Sequence, residues 1–155
     1  SDKIYAQRFF VNEYGNLFHA MPGQLTVRVE YANGLRNPWT IIRLRSENPY
    51  TIIRCGMHEF RTQTHNRGGM NPVWNEEFSM GICVTNQLDL MLYDYGWFGS
   101  DDELGRCTID LLDVRKKGQE IVVAPLLNKR GTKCGTIQIS LSFACTTGTN
   151  DEQIE

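Results

Sequence analysis

The sequence lacks the features of a membrane-spanning or nucleic-acid-binding protein. Its apolar runs are far shorter than the about 20 residues that cross a bilayer as a helix, and its N-terminus has no signal-peptide pattern. Sixteen Lys and Arg against eighteen Asp and Glu leave a formal charge of −2. No overall basic field therefore attracts nucleic acid or anionic lipid, and any such attraction must be local.

Catalytic signatures are also lacking. The three histidines, His19, His58 and His65, fall in no metalloprotease string, and neither a phosphate-binding glycine loop nor a GxSxG nucleophile elbow occurs. Asp94 and Asp102 lie in one loop, an arrangement that suits metal ligation better than acid–base catalysis. We expect no enzymatic activity.

Cysteine is present in an odd number and at no zinc-binding spacing, because the five residues are spread through separate segments without a CxxC pair. They are Cys55, Cys83, Cys107, Cys134 and Cys145. We interpret them as reduced, structural thiols of a cytoplasmic protein that is at most peripheral to a membrane.

Short alternating segments, separated by turn-rich stretches, run through the chain from Gly23 onward. Leu25, Val27 and Val29 alternate with polar residues, which is typical of a strand buried on one face. The pattern predicts strands at 25–29, 50–55, 60–65, 74–80, 87–93, 106–111, 121–124 and 136–143. Eight strands and no long helix predict an all-β, antiparallel, two-sheet sandwich, although periodicity alone leaves an immunoglobulin-like fold open.

The composition divides the chain into three parts. We predict one domain over 23–145, preceded by an extension or an extra hairpin at 1–22 and followed by an acidic tail at 146–155 that we expect to be disordered. The missing initial Met and the acidic tail favour an excised domain of a larger protein.

Four motifs resemble the C2 family of calcium- and lipid-binding modules. They are GQLTVRV at 23–29, NPY at 48–50, NPVWNEEF at 71–78, and the loop at 94–105. The resemblance implies an eight-stranded Greek-key sandwich, in the permutation whose first strand lies near Leu25. It also implies that Asn71, Trp74 and Asn75 set a loop and anchor the core.

The same resemblance implies calcium ligands, but the set is incomplete. Asp94 and Asp102 match two ligands, whereas Gly96 and Asn48 stand where the family has Asp, and the first loop, residues 33–48, has no Asp. Asp101 is a substitute that does not fit the pattern. Since calcium affinity depends on ligand charge, we expect Ca²⁺ binding to be weak or lost.

Arginines of the first loop offer an alternative source of positive charge. We hypothesise that Arg43 and Arg45 neutralise Asp94 and Asp102 in place of Ca²⁺. The alternative is that these arginines only solvate their loop.

Membrane contact is the function that the loops suggest. Trp97 and Phe98 match positions that relatives insert into the bilayer, with Tyr95 beside them and Trp39 as a second prong. The alternative is that Phe98 folds back on the domain.

A basic patch is a further candidate lipid site. Arg54, Arg61 and Arg67 form a candidate head-group patch, although an ordinary solvated sheet face is the alternative. We therefore predict a peripheral module that binds anionic phospholipid through its top loops. The second hypothesis is a calcium-independent protein-interaction domain within a larger trafficking or secretion protein.

Overall fold

The computed structural model describes residues 20–35 and 47–146, so most of the predicted extension at 1–22 and tail at 146–155 lies outside the described residues. Its strands are β1 (Gly23–Asn33), β2 (Pro49–Cys55), β3 (His58–Arg61), β4 (Val73–Ile82), β5 (Gln87–Asp94), β6 (Asp102–Asp110), β7 (Gln119–Leu127) and β8 (Lys133–Cys145). A helix, α1 (Leu112–Lys117), links β6 to β7. The predicted all-β class with eight antiparallel strands is confirmed.

The strands follow the order β3-β2-β5-β6-β7-β8-β1-β4, and every neighbouring pair is antiparallel. β6 and β7 share one register pair, Arg106 with Leu127, so the ladder divides there into two four-stranded layers. Connections that cross repeatedly between the layers make this a Greek-key sandwich. Among the described residues, the first strand begins at Gly23.

The core lies between the two layers and follows from the alternation in the sequence. Leu25, Val27 and Val29 of β1 are fully buried and belong to one cluster with inward-facing residues of both layers. On the opposite layer the same cluster contains Leu88, Leu90 and Leu92 of β5. A period of two places every second residue on one face of a strand, so these apolar residues meet across the sandwich.

Several strand boundaries differ from the prediction, and the differences at β3, at β6 and in the segment after β6 change the local structure. β3 begins at His58 and ends at Arg61, whereas we predicted 60–65, because the regular ladder with β2 ends at the pair of Ile52 and Arg61. Beyond it, only separate bonds to β2 continue, from Thr62 N–H to Thr51 O and from His65 N–H to Pro49 O, 2.9 Å each. β6 begins at Asp102, four residues before the predicted start. The connection between the predicted strands at 106–111 and 121–124 contains α1, whose six residues are too few to show a helical period.

Asn71, Trp74 and Asn75 have the structural surroundings that the resemblance implies. Asn71 Oδ1 accepts a hydrogen bond from Gly34 N–H at 3.1 Å, and Trp74 Nε1–H donates to Pro49 O at 3.1 Å. Asn75 has a φ of 51°, a left-handed conformation that Asn adopts more readily than most residues. These contacts join the loops at one end of the sandwich, which we name the loop end.

The connections 62–72, 95–101 and 128–132 lie at the loop end, where β1 also ends and β2 begins. The opposite end carries α1 and the β2–β3 and β4–β5 connections, and we name it the helix end. Among the described residues, no helix has the length and apolar character that a membrane span requires.

Candidate functional site

The β5–β6 connection, residues 95–101, presents aromatic side chains at the loop end; we name it the aromatic loop. Trp97 is 60% exposed and Phe98 is fully exposed, so Phe98 does not fold back on the domain. The Tyr95 ring contacts the Trp97 indole edge-on, with centroids 5.4 Å apart. The loop therefore offers adjacent apolar groups to the surroundings.

Asp101 closes the aromatic loop. Its Oδ1 accepts a hydrogen bond from Gly96 N–H at 2.9 Å, across the loop, and its Oδ2 accepts one from the Tyr50 hydroxyl. Both carboxylate oxygens thus already have protein donors. Asp101, which we expected as a substitute metal ligand, here fixes the loop to β2.

Tyr50 is itself held firmly on the outer face of its layer. Its ring stacks on Tyr93 with centroids 5.5 Å apart, and the Arg61 guanidinium lies 3.6 Å from its centroid. Burial, and then the hydrogen bond to Asp101, raises the pKa of Tyr50. The hydroxyl therefore stays protonated at neutral pH and remains a donor.

Replacing Tyr50 with Phe should loosen the aromatic loop while leaving the fold intact. The variant removes one donor to Asp101, and we expect a loss of about 1 to 3 kcal/mol of unfolding free energy, since the acceptor is charged. Backbone ¹⁵N relaxation should show larger motion at residues 96–100. Tyr93→Phe is the matched control. Equal relaxation in the two variants would show that the hydrogen bond from Tyr50 to Asp101 does not restrain the aromatic loop.

Asn48 and Asp94 are both buried beneath the aromatic loop. Asn48 N–H donates to Asp94 Oδ1 at 2.8 Å, and Asn48 Oδ1 accepts from Arg67 N–H at 2.9 Å. Tyr95 N–H also donates to Asn48 O at 2.9 Å. Asn48, a candidate metal ligand, thus serves as a junction between three loop segments.

Gly96 is required by the shape of the loop. A Cβ at this position would lie 2.7 Å from Ser100 O, a backbone atom, so any side chain would force the loop open. The family pattern has a calcium-ligating Asp here. The presence of Gly instead of the family's Asp at position 96 therefore allows the close turn in which Gly96 N–H bonds to Asp101.

Asp94 and Asp102 lie directly opposite each other on β5 and β6. Like charges in this arrangement destabilise a sheet unless a cation balances them. Within residues 20–35 and 47–146, no three His, Cys, Asp or Glu side chains are arranged to hold a metal ion. The side-chain oxygens of Asp101 and of Asn48 each accept a protein hydrogen bond, whereas Ca²⁺ takes six to eight oxygen ligands.

The three arginines of the candidate head-group patch have different surroundings. Arg54 forms an ion pair with Glu59 at 3.1 Å, Arg61 covers the Tyr50 ring, and Arg67 lies in the 62–72 loop with a φ of 56°. The structure thus does not bring them together as one set of unpaired cations. Trp39, Arg43 and Arg45 lie outside the described residues.

A pair that the sequence did not reveal lies on β6. Glu103 Oε1 accepts hydrogen bonds from Arg106, from Nε at 3.1 Å and from Nη2. A bulge opposite Leu92 and Tyr93 puts these residues, three apart, on the same face. Both hydrogen bonds from Arg106 thus engage the same oxygen of Glu103 within β6.

The thiols have the properties of structural cysteines. Burial raises the pKa of Cys55 and Cys134, and it raises the pKa of Cys107 to about 12. Since the thiolate is the nucleophile, a raised pKa lowers the reactivity of these three cysteines.

Two relatives in sequence are plant proteins. Elicitor-responsive protein 1 of Oryza sativa subsp. japonica is 28% identical over 141 residues, covering 83% of this chain and 89% of the rice protein. Protein C2-DOMAIN ABA-RELATED 3 of Arabidopsis thaliana is 30% identical over 97 residues. That match covers 62% of this chain and 55% of the Arabidopsis protein.

Solved structures share the fold. A C2 domain of plant extended synaptotagmin 1 superposes with a TM-score of 0.68 at 20% identity, covering 81% of this chain and 96% of that one. Human GIVD cytosolic phospholipase A2 also superposes with a TM-score of 0.68, at 24% identity, and the match covers 83% of this chain. This chain spans 18% of the phospholipase, and at this identity the likeness shows the fold alone.

The profile of the C2 domain family matches residues 23–126, which include β1 to β6, α1 and most of β7. The topology and the loop end agree with that match, and the chain belongs to the C2 domain family.

Proposed function

We propose that this domain docks on anionic phospholipid membranes through its loop end, with Ca²⁺ weakly bound or not required. C2 domains generally bind phospholipid membranes. The observation that supports this proposal most is the exposed pair Trp97 and Phe98 on a loop closed by Asp101. Exposed adjacent apolar side chains commonly mark a contact surface.

The energetics suit reversible docking at the surface of a membrane. Burial of one large apolar side chain contributes roughly 1.5 to 3 kcal/mol, so Trp97 and Phe98 together provide a few kcal/mol before electrostatics is added. Trp is suited to the interfacial layer because its ring is amphipathic. The proposed location is therefore the cytoplasmic surface of a membrane, with Tyr95 and Trp39 as further contacts.

Electrostatics decides whether an anionic surface attracts the loop end. Asp94, Asp101 and Asp102 are close in sequence there and would be repelled by an anionic leaflet unless neutralised. Residues 36–46 contain Arg36, Arg43 and Arg45 and no acid. We propose that Arg43 and Arg45 supply the compensating charge that calcium supplies in other C2 domains.

Liposome cosedimentation tests the proposal. Vesicles of phosphatidylcholine with phosphatidylserine or a phosphoinositide are sedimented with the domain, once in millimolar calcium and once in chelator. We expect equal binding in both conditions, and weaker binding of the Arg43→Ala, Arg45→Ala variant. Vesicles of phosphatidylcholine alone are the control for charge.

The other outcomes contradict parts of the proposal. Binding only in calcium would show that an incomplete ligand set still holds the ion at a membrane. No binding in either condition would favour the second candidate, a protein partner. That candidate is supported by the same Trp97–Phe98 pair, since aromatic residues also dominate protein interfaces.

A further inference from the structure

β7 carries an exposed apolar stripe on the outer face of its layer. Ile121 is 71% exposed, Val123 is 61% exposed and Leu127 is 45% exposed, and Pro125 is exposed between them. These alternate residues share one face of the strand. They lie outside the core and are not part of the aromatic loop, so neither the fold nor the Trp97–Phe98 contact explains them.

The stripe is one strand wide. Across the β7–β8 ladder, Ile121 faces Ser140 and Val123 faces Gln138. Both of these polar side chains donate to Glu30, from Ser140 Oγ at 2.8 Å and from Gln138 Nε2 at 2.6 Å. A polar network thus borders the stripe on that side, and the apolar surface has the width of a single extended chain.

Exposed cations flank both ends of the stripe. They are Lys116 and Lys117 in the last turn of α1, and Lys129, Arg130 and Lys133 in the β7–β8 turn and the start of β8. In the part of the chain that the structure describes, none of these five side chains forms an ion pair. The net charge of the whole chain is −2, so this surface is a local basic region.

The β7 backbone is also weakly paired on one side. β8 pairs with β7 along most of its length, whereas β6 meets it at the single pair of Arg106 and Leu127. A strand with free backbone donors and acceptors can accept an extended peptide as an additional strand. The length of β7 offers roughly 30 Å for such a contact.

We propose that β7 is a docking surface for an extended peptide segment of a protein partner, with apolar residues at alternate positions and acidic residues at both ends. Charge complementarity identifies the occupant, because basic side chains lie at both ends of the stripe. A second copy of this chain fits poorly, since pairing β7 with β7 in either direction sets basic ends against each other. A membrane leaflet fits poorly as the occupant as well. β7 runs from the helix end to the loop end, so a leaflet that contacts the loop end would meet only the last residues of the stripe.

A synthetic peptide tests this surface independently of membrane docking. The probe is fluorescein-labelled Glu-Glu-Thr-Val-Thr-Val-Thr-Val-Thr-Glu-Glu, and a scrambled peptide of the same composition is the control. Fluorescence anisotropy should show binding to the intact chain that weakens as salt rises. Ile121→Thr with Val123→Thr should bind about tenfold more weakly, since each loses apolar contact area. Lys116→Glu with Lys129→Glu should bind more weakly still and show a smaller salt dependence.

Val84→Thr is the matched control, because Val84 is an equally exposed apolar residue on the β4–β5 connection. It should bind the probe as the unmodified chain does. Equal binding of the scrambled peptide, unchanged binding by the β7 variants, or no binding of the probe would overturn the proposal. So would a dimer in sedimentation equilibrium that the β7 variants abolish.

A lipid surface is the remaining outcome to separate. In a background of Trp97→Ala and Phe98→Ala, binding to phosphatidylserine vesicles that depends on Ile121 and Val123 and on the helix-end residues Lys116 and Lys117 would show that β7 contacts lipid, and would overturn the peptide assignment. Failure of the parent chain to bind vesicles would contradict only the proposed membrane function. The peptide measurement is unaffected by that result.

Discussion

Replacing Arg115 with Ala is expected to lower the free energy of unfolding by about 3 to 5 kcal/mol, because a buried charged donor is removed and its acceptors lose their partners. Arg115 is 7% exposed. Its guanidinium donates to Met21 O and Cys83 O at 2.7 Å each, and to Thr85 O at 2.8 Å. Without the side chain, three backbone carbonyls in this region lack these bonds.

The contacts of Arg115 explain why one side chain matters at the helix end. Its three acceptors belong to the segment before β1 and to the β4–β5 connection, so the side chain ties α1 to both. The guanidinium also lies 4.9 Å from the centroid of the Phe143 ring. Burial lowers the pKa of Arg115, but an arginine remains charged at any physiological pH.

Urea denaturation measures this effect through the midpoint and slope of the transition. Arg115→Lys should recover only part of the loss, since an ammonium cannot reproduce the planar fork of donors. Lys116→Ala is the matched control on the same helix, and its exposed side chain should change stability by at most about 0.5 kcal/mol. A loss below about 1 kcal/mol for Arg115→Ala would contradict the role assigned to the three carbonyl contacts.

The strands were predictable because their signal is local. Leu88, Leu90 and Leu92 alternate within a few residues of sequence, and this period alone indicates the buried face of β5. Arg115 gives no such signal, since its partners are 30 to 94 residues away in sequence. The sequence shows only a basic residue in a turn-rich linker, and only the folded chain shows its burial.

The candidate metal site shows the same limit in another form. Matching to a family pattern identifies Asp94, Asp101 and Asp102 as carboxylates in the right loop, but it does not show which oxygens are already bonded. The Tyr50 hydroxyl and the Gly96 amide both donate to Asp101. The bulge in β6 that pairs Glu103 with Arg106 is likewise invisible in a linear pattern.

These contacts give the aromatic loop a defined shape without a metal ion among its described contacts. A fixed loop loses less conformational entropy on docking than a mobile one, so more of the burial energy of its side chains appears as affinity. Asp101 and Tyr50 therefore prepare Trp97 and Phe98 for contact with a surface. If the surface is a membrane, those two side chains carry most of the apolar contribution.

The Trp97→Ala, Phe98→Ala variant is accordingly expected to bind phosphatidylserine vesicles about a hundredfold or more weakly, since two large apolar side chains no longer leave water. Its stability should be nearly unchanged, because both side chains are exposed in the free domain. Cosedimentation over a range of lipid concentrations measures the change in affinity, and urea denaturation checks the fold.

Met57→Ala with Val84→Ala is the matched control for this experiment. Both residues are exposed and apolar, but they lie in connections at the helix end, away from the aromatic loop. If membrane binding arises from the loop end, this variant should bind vesicles as the unmodified chain does. Equal losses in both double variants would mean that general surface hydrophobicity drives binding. If the Trp97→Ala, Phe98→Ala variant bound vesicles with unchanged affinity, the aromatic loop would not contact the membrane. The first loop, with Trp39, would then be the remaining candidate for that contact.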